Sequence, residues 1–463
     1  MELLKLLDNI EYLGEASSID ITSITHDSRK VKSGSLFIAL KGECDDGYEY
    51  IENAIKNGAS AILVNSRKVT INTNIPILNV ANVRKSMSKI ASNFFKNPSK
   101  NLNLIGVTGT NGKTSVCYLI NHLFNDNNFS SGSIGTLGYI NSSNIISTGF
   151  TTPESIDLQQ ILHTSTIGGL HNIVMEVSSH SINMHRVDDI DLDIAIFTNL
   201  TPEHLDFHKT MNDYLKTKQK IFTRLEADKY SIINMDDPYY EKIISTINSK
   251  IVTYGFSPKA DIYPVEYNFT DTGLNAKISI FKKLIDISTT LIGVYNLYNI
   301  LASIGAAYLS KLSLKQIASS LNKPIYIPGR LEMVYNKNNK MIIIDYAHTP
   351  DAFDNVLKTI SNLKSKKIIT VFGCGGNRDI SKRESMATIA EKYSSIVIVT
   401  SDNPRTESLN KIFSDIKSGF KHNNHTLIAD RKEALLYAVK KMESDSILII
   451  LGKGIENYQE ING

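Results

Sequence analysis

At 463 residues the chain has length for about three domains, each large enough to bury its own core. It is 42% hydrophobic and 21% charged with a net charge of +3, an ordinary globular composition without the dense Lys/Arg blocks of a nucleic-acid surface. The three cysteines, Cys44, Cys117 and Cys374, form no disulfide framework and lack metal-ligand spacing.

The first eight residues, Met1-Glu-Leu-Leu-Lys-Leu-Leu-Asp8, carry no apolar core of signal-peptide length. No run reaches the ~18 apolar residues of a membrane span, so a soluble, cytoplasmic protein is expected. Residues 1–98 read as a small α/β unit, with strands near 36–40 and 59–64 and a helix near 50–56. That unit holds no acid–base cluster, which suits a binding module. The polar stretch Lys96-Asn-Pro-Ser-Lys-Asn101 reads as a linker. From 99 to 327 strands and helices alternate, with strands expected at 102–107, 172–177, 193–198 and 230–235, which predicts a mostly parallel sheet covered by helices. Residues 328–463 contain four buried-strand patterns, at 341–345, 367–372, 395–400 and 446–451, separated by helical ones. They predict a second doubly wound domain. The fold class is therefore α/β in three domains: a small N-terminal one, a central P-loop ATPase-like one and a C-terminal Rossmann-like one.

The central unit is organised around Gly106-Val-Thr-Gly-Thr-Asn-Gly-Lys-Thr-Ser115. An apolar strand precedes this stretch, and apolar residues at 116, 119, 120, 123 and 124 mark a helix after it. Strand, glycine-rich turn and helix make a phosphate cradle. Gly109, Thr110, Asn111 and Gly112 would present backbone N–H groups to an anion at the helix N-terminus. Lys113 would reach the outer phosphates and the Thr114 hydroxyl would bind Mg²⁺, so an ATP site is expected. A strict motif places Gly at position 107, where this chain has Val107. Glu176 ends an apolar strand, where a carboxylate is costly unless paired or metal-bound; it is a candidate Mg²⁺ ligand across from Thr114. In Phe197-Thr-Asn-Leu-Thr-Pro-Glu-His-Leu-Asp-Phe-His208, His204 and His208 stand four apart. A zinc site and a His204 that assists a second magnesium both remain open. In the helix around 211–222, Lys218 falls inside the apolar stripe, whereas Lys216 and Lys220 face away from it. Lys218 is either a desolvated, nucleophilic amine able to capture CO₂ as a carbamate or a lysine that snorkels its ammonium to water.

Together these motifs resemble the Mur ligases of peptidoglycan synthesis. The resemblance runs through Asp27-Ser-Arg29, Gly109–Thr114, Met175-Glu-Val-Ser-Ser-His180, Thr198–His208, Gly329-Arg330 and Asp345-Tyr-Ala-His-Thr-Pro350. It continues through Gly373-Cys-Gly-Gly-Asn-Arg-Asp379, Asp402-Asn-Pro-Arg405 and Gly452-Lys-Gly454. It implies an ATP- and Mg²⁺-dependent amide ligase working through an acyl phosphate, with Lys113, Glu176, His204 and a carbamylated Lys218 at the reacting centre. Thr114, Glu176, His204 and Lys218 become the metal set, and Asn299, Arg330, Asp345 and His348 join the ATP site. Ser28, Thr151, Thr152, Ser178 and Arg186 become the UDP-sugar-peptide site. The acceptor pocket takes Arg383, Asp402, Asn403, Pro404, Arg405, Gly452 and Glu456. The implied substrates are UDP-N-acetylmuramoyl-L-alanyl-D-glutamate and meso-diaminopimelate, handled by a monomer without nucleic acid or membrane insertion. An L-lysine- or meso-lanthionine-adding homologue and a folylpolyglutamate synthetase-like ligase are the alternatives. Three positions depart from the family pattern: His26 for an apolar residue, Met184 for Gln, and Ile455 for the His before Glu456.

Overall fold

The computed structural model describes residues 1–463 apart from 43–45, 66–70, 72, 142–143, 271–272, 364–366 and 463, so Cys44 lies outside the described residues. Cys117 and Cys374 are free, buried thiols. No helix among the described residues is long and apolar enough to cross a membrane.

Three sheets carry the chain. The first is four-stranded and parallel, in the order Ser23–Thr25, Ser35–Ile38, Ala59–Asn65, Ile77–Val80. The helix Val83–Phe94 packs on it through Val83, Met87, Ile90 and Ala91. Pro98–Asn101, expected as a linker, is a 3₁₀ turn in which Pro98 opens the turn and Asn97 takes the left-handed conformation before it. The Ser99 hydroxyl accepts a hydrogen bond from Asp191 N, which pins this turn to the next unit.

The second sheet has eleven strands. Its middle is parallel and runs Ser131–Gly135, Asn172–Glu176, Asn103–Thr108, Ile194–Phe197, Tyr230–Asn234, Lys250–Tyr254 and Ile262–Thr270. Antiparallel strands extend both ends, Gly138–Asn141 and Asn144–Ile146 at one and Gly273–Ile280 and Lys283–Thr289 at the other. The expected alternation of strand and helix therefore breaks twice, at the strands of 131–146 and again from residue 262. Lys283–Thr289 alternates buried and exposed residues, the pattern of a sheet with one wet face. The helices Lys113–Asp126 and Val294–Leu309 seal one face of the parallel region, burying Val116, Leu119, Ile120, Leu123, Leu297, Ile300 and Leu301 against Ile105, Val107 and Ile196. The helices Ser155–Ile167 and Met211–Thr223 seal the other with Leu158, Leu162, Leu215 and Phe222.

The third sheet runs Glu332–Lys337, Lys340–Asp345, Ser446–Leu451, Lys367–Phe372, Ile396–Val399, His425–Leu427, with only the first strand antiparallel. The carboxyl ends of its parallel strands, and those of the central sheet, open onto one cleft of about 1560 Å³ to which the first unit also contributes.

Candidate active site

The strand Asn103–Thr108 delivers the glycine-rich turn into this cleft, and the helix Lys113–Asp126 leaves it. Gly109 and Gly112 have φ of 151° and 89°, and a Cβ on either would press on the Thr198 hydroxyl or on Asn299 Oδ1. Neighbouring strand ends hold the loop. Thr198 Oγ1 donates to Asn111 O at 2.7 Å, Asn199 Oδ1 accepts from Asn111 N at 2.8 Å, and Thr110 N donates to Asn199 O at 2.9 Å. Lys113 curls back, its ammonium donating to Gly109 O at 3.0 Å and Thr110 O at 2.8 Å. Val107 is fully buried and still in the strand, where its carbonyl accepts from Val177 N at 2.8 Å. The turn begins after it, so a side chain at 107 meets the core rather than the anion.

Glu176 ends its strand at 1% exposure, and its Oε1 accepts from the Thr114 hydroxyl at 2.9 Å and from Thr136 N at 2.8 Å. Arg330 Nη2 donates to the same Thr114 oxygen at 2.9 Å, so a cation already rests against this pair. His204 is left-handed, with φ of 56°. Burial pulls its pKa to about 4 against the pull of Glu203, and Lys113 and Lys218 lower it further, so the ring is neutral at neutral pH. His208 does not join it. Its Nε2 lies 2.8 Å from Ser179 Oγ in the interior and its ring stacks on Tyr214 at 4.8 Å. The zinc alternative falls with that geometry. Lys218 is 1% exposed, while Lys216 and Lys220 are exposed, which overturns the snorkelling alternative. Its amine donates to Gly109 O at 2.8 Å, and burial together with the charge of Lys113 drives its pKa well down against the pull of Glu203. Among the described residues no three His, Cys, Asp or Glu side chains converge as a complete metal cage. A hydroxyl and a carboxylate at the mouth of a phosphate loop fit Mg²⁺, which takes one or two protein oxygens and completes its shell with phosphate oxygens and water.

Toward the first unit, Ser28 and the departing His26 line the cleft with Thr151, Thr152, Ser178 and Arg186. Arg186 pairs with Glu154 Oε1 at 2.8 Å and donates to Thr152 O at 3.0 Å, and Met184 Sδ lies 3.6 Å from its Nη2. Thr152 Oγ1 donates to Glu176 O at 2.8 Å, so this end of the cleft is anchored to the strand that bears the carboxylate.

From the third unit, Asp345 accepts from Leu331 N and Ala347 N, both at 2.7 Å; burial raises its pKa against the pull of Arg330. Its carboxylate ties the ends of two loops together. His348 crosses to the central unit, with Nε2 3.1 Å from Glu203 Oε1. Asp402-Asn-Pro-Arg405 follows the strand Ile396–Val399 and faces Gly452 and Glu456. Asn403 Nδ2 donates to Glu456 Oε2 at 3.2 Å, and the buried Lys453 ammonium donates to that oxygen at 2.8 Å and to Asn403 Oδ1 at 3.0 Å. Arg405 donates to Gly376 O at 2.9 Å and pairs through Nε with Glu460 at 3.1 Å. Pro404 is buried behind this rim, its carbonyl against Gly376.

Arg383 is placed differently from the expectation. It is fully buried, and its guanidinium is taken up by Glu407 at 2.7 Å, Asp415 at 2.8 Å and Gly375 O at 3.1 Å. It faces away from the cleft. Arg378, five residues earlier in the loop before the helix Lys382–Tyr393, is exposed and lines it. Glu203, Lys453, Glu154 and Tyr346 also belong to the site. Glu203 and Lys453 stand inside stretches singled out from the sequence, and the signal that marks them is a charged residue beside a turn residue at a strand end.

Three family models cover most of the chain: "Mur ligase family, catalytic domain" over residues 20–95, "Mur ligase middle domain" over 107–307, and "Mur ligase, glutamate ligase domain" over 329–454. The chain is 41% identical to the UDP-N-acetylmuramoyl-L-alanyl-D-glutamate–2,6-diaminopimelate ligase of Caldanaerobacter subterraneus, covering 100% of this chain and 95% of that one. It is 42% identical to the ligase of the same name from Clostridioides difficile, over 99% and 95%. A solved structure of a ligase with that name superposes with a TM-score of 0.72 at 30% identity, over 100% of this chain and 95% of that one.

Proposed function

The chain belongs to the Mur ligase family, and from that premise we propose that it is the ATP-dependent ligase that adds meso-diaminopimelate to UDP-N-acetylmuramoyl-L-alanyl-D-glutamate. The observation that carries the reading is convergence. The glycine-rich loop, Arg186 and Arg405 open onto one cleft.

We assign residues 1–98 to the UDP-sugar, 99–327 to ATP and 328–463 to the acceptor. The glutamyl carboxylate takes the γ-phosphoryl group of ATP, leaving ADP and an acyl phosphate. The acceptor amine then attacks the acyl carbon, the C–O bond to phosphate breaks, and the amine proton is lost as the amide forms. All the oxygens brought together are negative, so the protein contributes alignment and neutralisation. Lys113 swings from the loop carbonyls to the transferring phosphoryl, and Arg330 and Asn299 flank the nucleotide with Asp345 and His348 behind them. Thr114 and Glu176 would hold one Mg²⁺, and His204 with a carbamate on Lys218 a second; magnesium supplies charge neutralisation at the phosphates. Ser28, Thr151, Thr152, Ser178 and Arg186 hold the sugar peptide. At the acceptor end Arg405 and Arg378 face the distal carboxylate, and Glu456, held by Lys453 and Asn403, accepts the distal ammonium. L-Lysine lacks that carboxylate and would bring a bare ammonium to two guanidinium groups. Its nucleotide substrates support a cytoplasmic enzyme, and a cleft lined by all three units of one chain is consistent with a monomer.

The test offers ATP, Mg²⁺ and the UDP-sugar dipeptide with meso-diaminopimelate or L-lysine, and measures phosphate release. Release that depends on meso-diaminopimelate is expected; faster release with lysine would sink the acceptor assignment.

A further inference from the structure

One aromatic ring in the cleft touches both the phosphate end and the acceptor end. Tyr346 follows the strand Lys340–Asp345, and its N–H donates to Gly329 O at 2.9 Å, joining it to the turn that carries Arg330. The Arg330 guanidinium carbon lies 4.5 Å from the centre of the Tyr346 ring, and its Nη2 reaches the Thr114 hydroxyl at 2.9 Å. At the opposite edge the Tyr346 hydroxyl donates to Glu456 Oε1 at 3.3 Å. Glu456 is therefore held at both oxygens, by Tyr346 at Oε1 and by Lys453 and Asn403 at Oε2. The ring cannot drift. Gly454 packs against it so closely that a Cβ there would lie 3.0 Å from Tyr346 Cδ2. A Cβ on Gly329 would lie 3.1 Å from Gly454 Cα, so the turns bearing Arg330 and Glu456 are themselves in contact.

Resting on the ligase reading above, we propose that Tyr346 is a positioning residue shared by the two half-sites: its face fixes the plane of Arg330 beside the P-loop, and its hydroxyl fixes the carboxylate of Glu456 that receives the acceptor ammonium. Burial, reinforced by the charge of Glu456, raises the phenol pKa, so the hydroxyl remains a donor throughout the working pH range. The two functions sit on different atoms and separate cleanly. The hydroxyl serves only the acceptor side, whereas the ring serves the nucleotide side by stacking.

Two variants divide them. Tyr346→Phe keeps the ring and removes the hydroxyl; Tyr346→Leu removes both. Nucleotide affinity is read by titrating a non-hydrolysable ATP analogue with Mg²⁺, and acceptor KM is read from turnover with saturating ATP and sugar dipeptide. Tyr346→Phe should raise acceptor KM roughly 5–10-fold, the scale of one ordinary net hydrogen bond. Its nucleotide affinity should stay within about twofold of wild type, because the stack is intact. Tyr346→Leu should weaken the nucleotide about tenfold as well, the scale of a desolvated cation–π contact. An unchanged acceptor KM in Tyr346→Phe, or an unchanged nucleotide affinity in Tyr346→Leu, overturns the proposal. Tyr346→Phe preserves the packing, so its acceptor KM decides between these outcomes even if Tyr346→Leu misfolds. A wild type without acceptor-dependent turnover refutes the ligase reading instead, so the two failures are distinguishable.

Discussion

Lys218 shows how far one side chain's chemistry is set by its neighbours. Burial, with the charge of Lys113, drives the Lys218 pKa well down and so favours the neutral amine. A neutral amine can attack CO₂, losing a proton as the N–C bond forms and ending as an anionic oxygen donor. Lys218→Ala is expected to lose most activity, chiefly in kcat, because the group acts on charge that develops during transfer. Lys216→Ala and Lys220→Ala, exposed on the same helix, should stay near wild type. A carbamate resonance in ¹³C spectra after labelled bicarbonate, absent from Lys218→Ala, is the second readout, and full activity in that variant would end the idea. The position of Lys218 was legible because helical periodicity alone decides which of three nearby lysines enters the seam. The fate of His208 was not. Its backbone position suits a ligand pair with His204, but its ring turns inward to Ser179, and spacing carries no information about that rotamer.

The helix Lys382–Tyr393 poses the same problem for an element. The sequence shows two arginines five residues apart, Arg378 and Arg383, and does not say which one the helix start will bury. Arg383 lies on the inner face, where Glu407 and Asp415 neutralise it, so it sets the loop that carries Arg378. Arg383→Ala would leave Glu407 poorly compensated and should cost about 3–5 kcal/mol in urea unfolding, as breaking buried pairs does. Arg378→Ala should leave stability within about 0.5 kcal/mol and raise acceptor KM. The Arg383 hydrogen bond, opposed by burial, holds the Glu407 pKa at about 2, below its ordinary value of 4.5. A lowered carboxylate pKa contributes stability that is complete above the ordinary value and disappears as pH falls toward the folded one. Wild type should therefore lose stability between about pH 4.5 and 2 through this pair. Arg383→Met should show less of that acid slope; an unchanged slope would mean that Glu407 is not its source. The antiparallel strands after residue 262 were missed for a related reason: half-exposed strands alternate, and the expected pattern was of strands buried on both faces.

At the scale of the molecule, three sheets serve one cleft, so the contacts between units decide whether the site is assembled. The first and central units share an apolar contact through Ile156, and Arg84 reaches Glu154 at 3.3 Å. The third unit has an apolar seam of its own with Ile292 and Tyr295, while its contacts at the phosphate loop are polar. Asp351 accepts from Asn111 Nδ2 at 2.8 Å, and His348 meets Glu203 at 3.1 Å. Burial alone would raise the Glu203 pKa, but the hydrogen bond from His348 and nearby positive charge, that of Lys113 included, outweigh it and hold it low. Glu203 thus stays an acceptor across the physiological range. These two contacts form a latch beside the nucleotide, separate from the seam that carries the unit. Each is worth on the order of 1 kcal/mol, a fivefold shift in an opening equilibrium, so losing both should be visible without unfolding either unit. Asp351→Ala combined with His348→Ala is expected to increase the radius of gyration of the free protein in small-angle scattering. Adding an ATP analogue with Mg²⁺ and the UDP-sugar dipeptide should draw it back, because ligands that touch two units favour the assembled state by their differential affinity. A scattering profile of the free double variant that superimposes on wild type would mean that the Ile292–Tyr295 seam and the Arg330–Thr114 hydrogen bond suffice to set the arrangement and that the Asp351 and His348 contacts do not act as a latch.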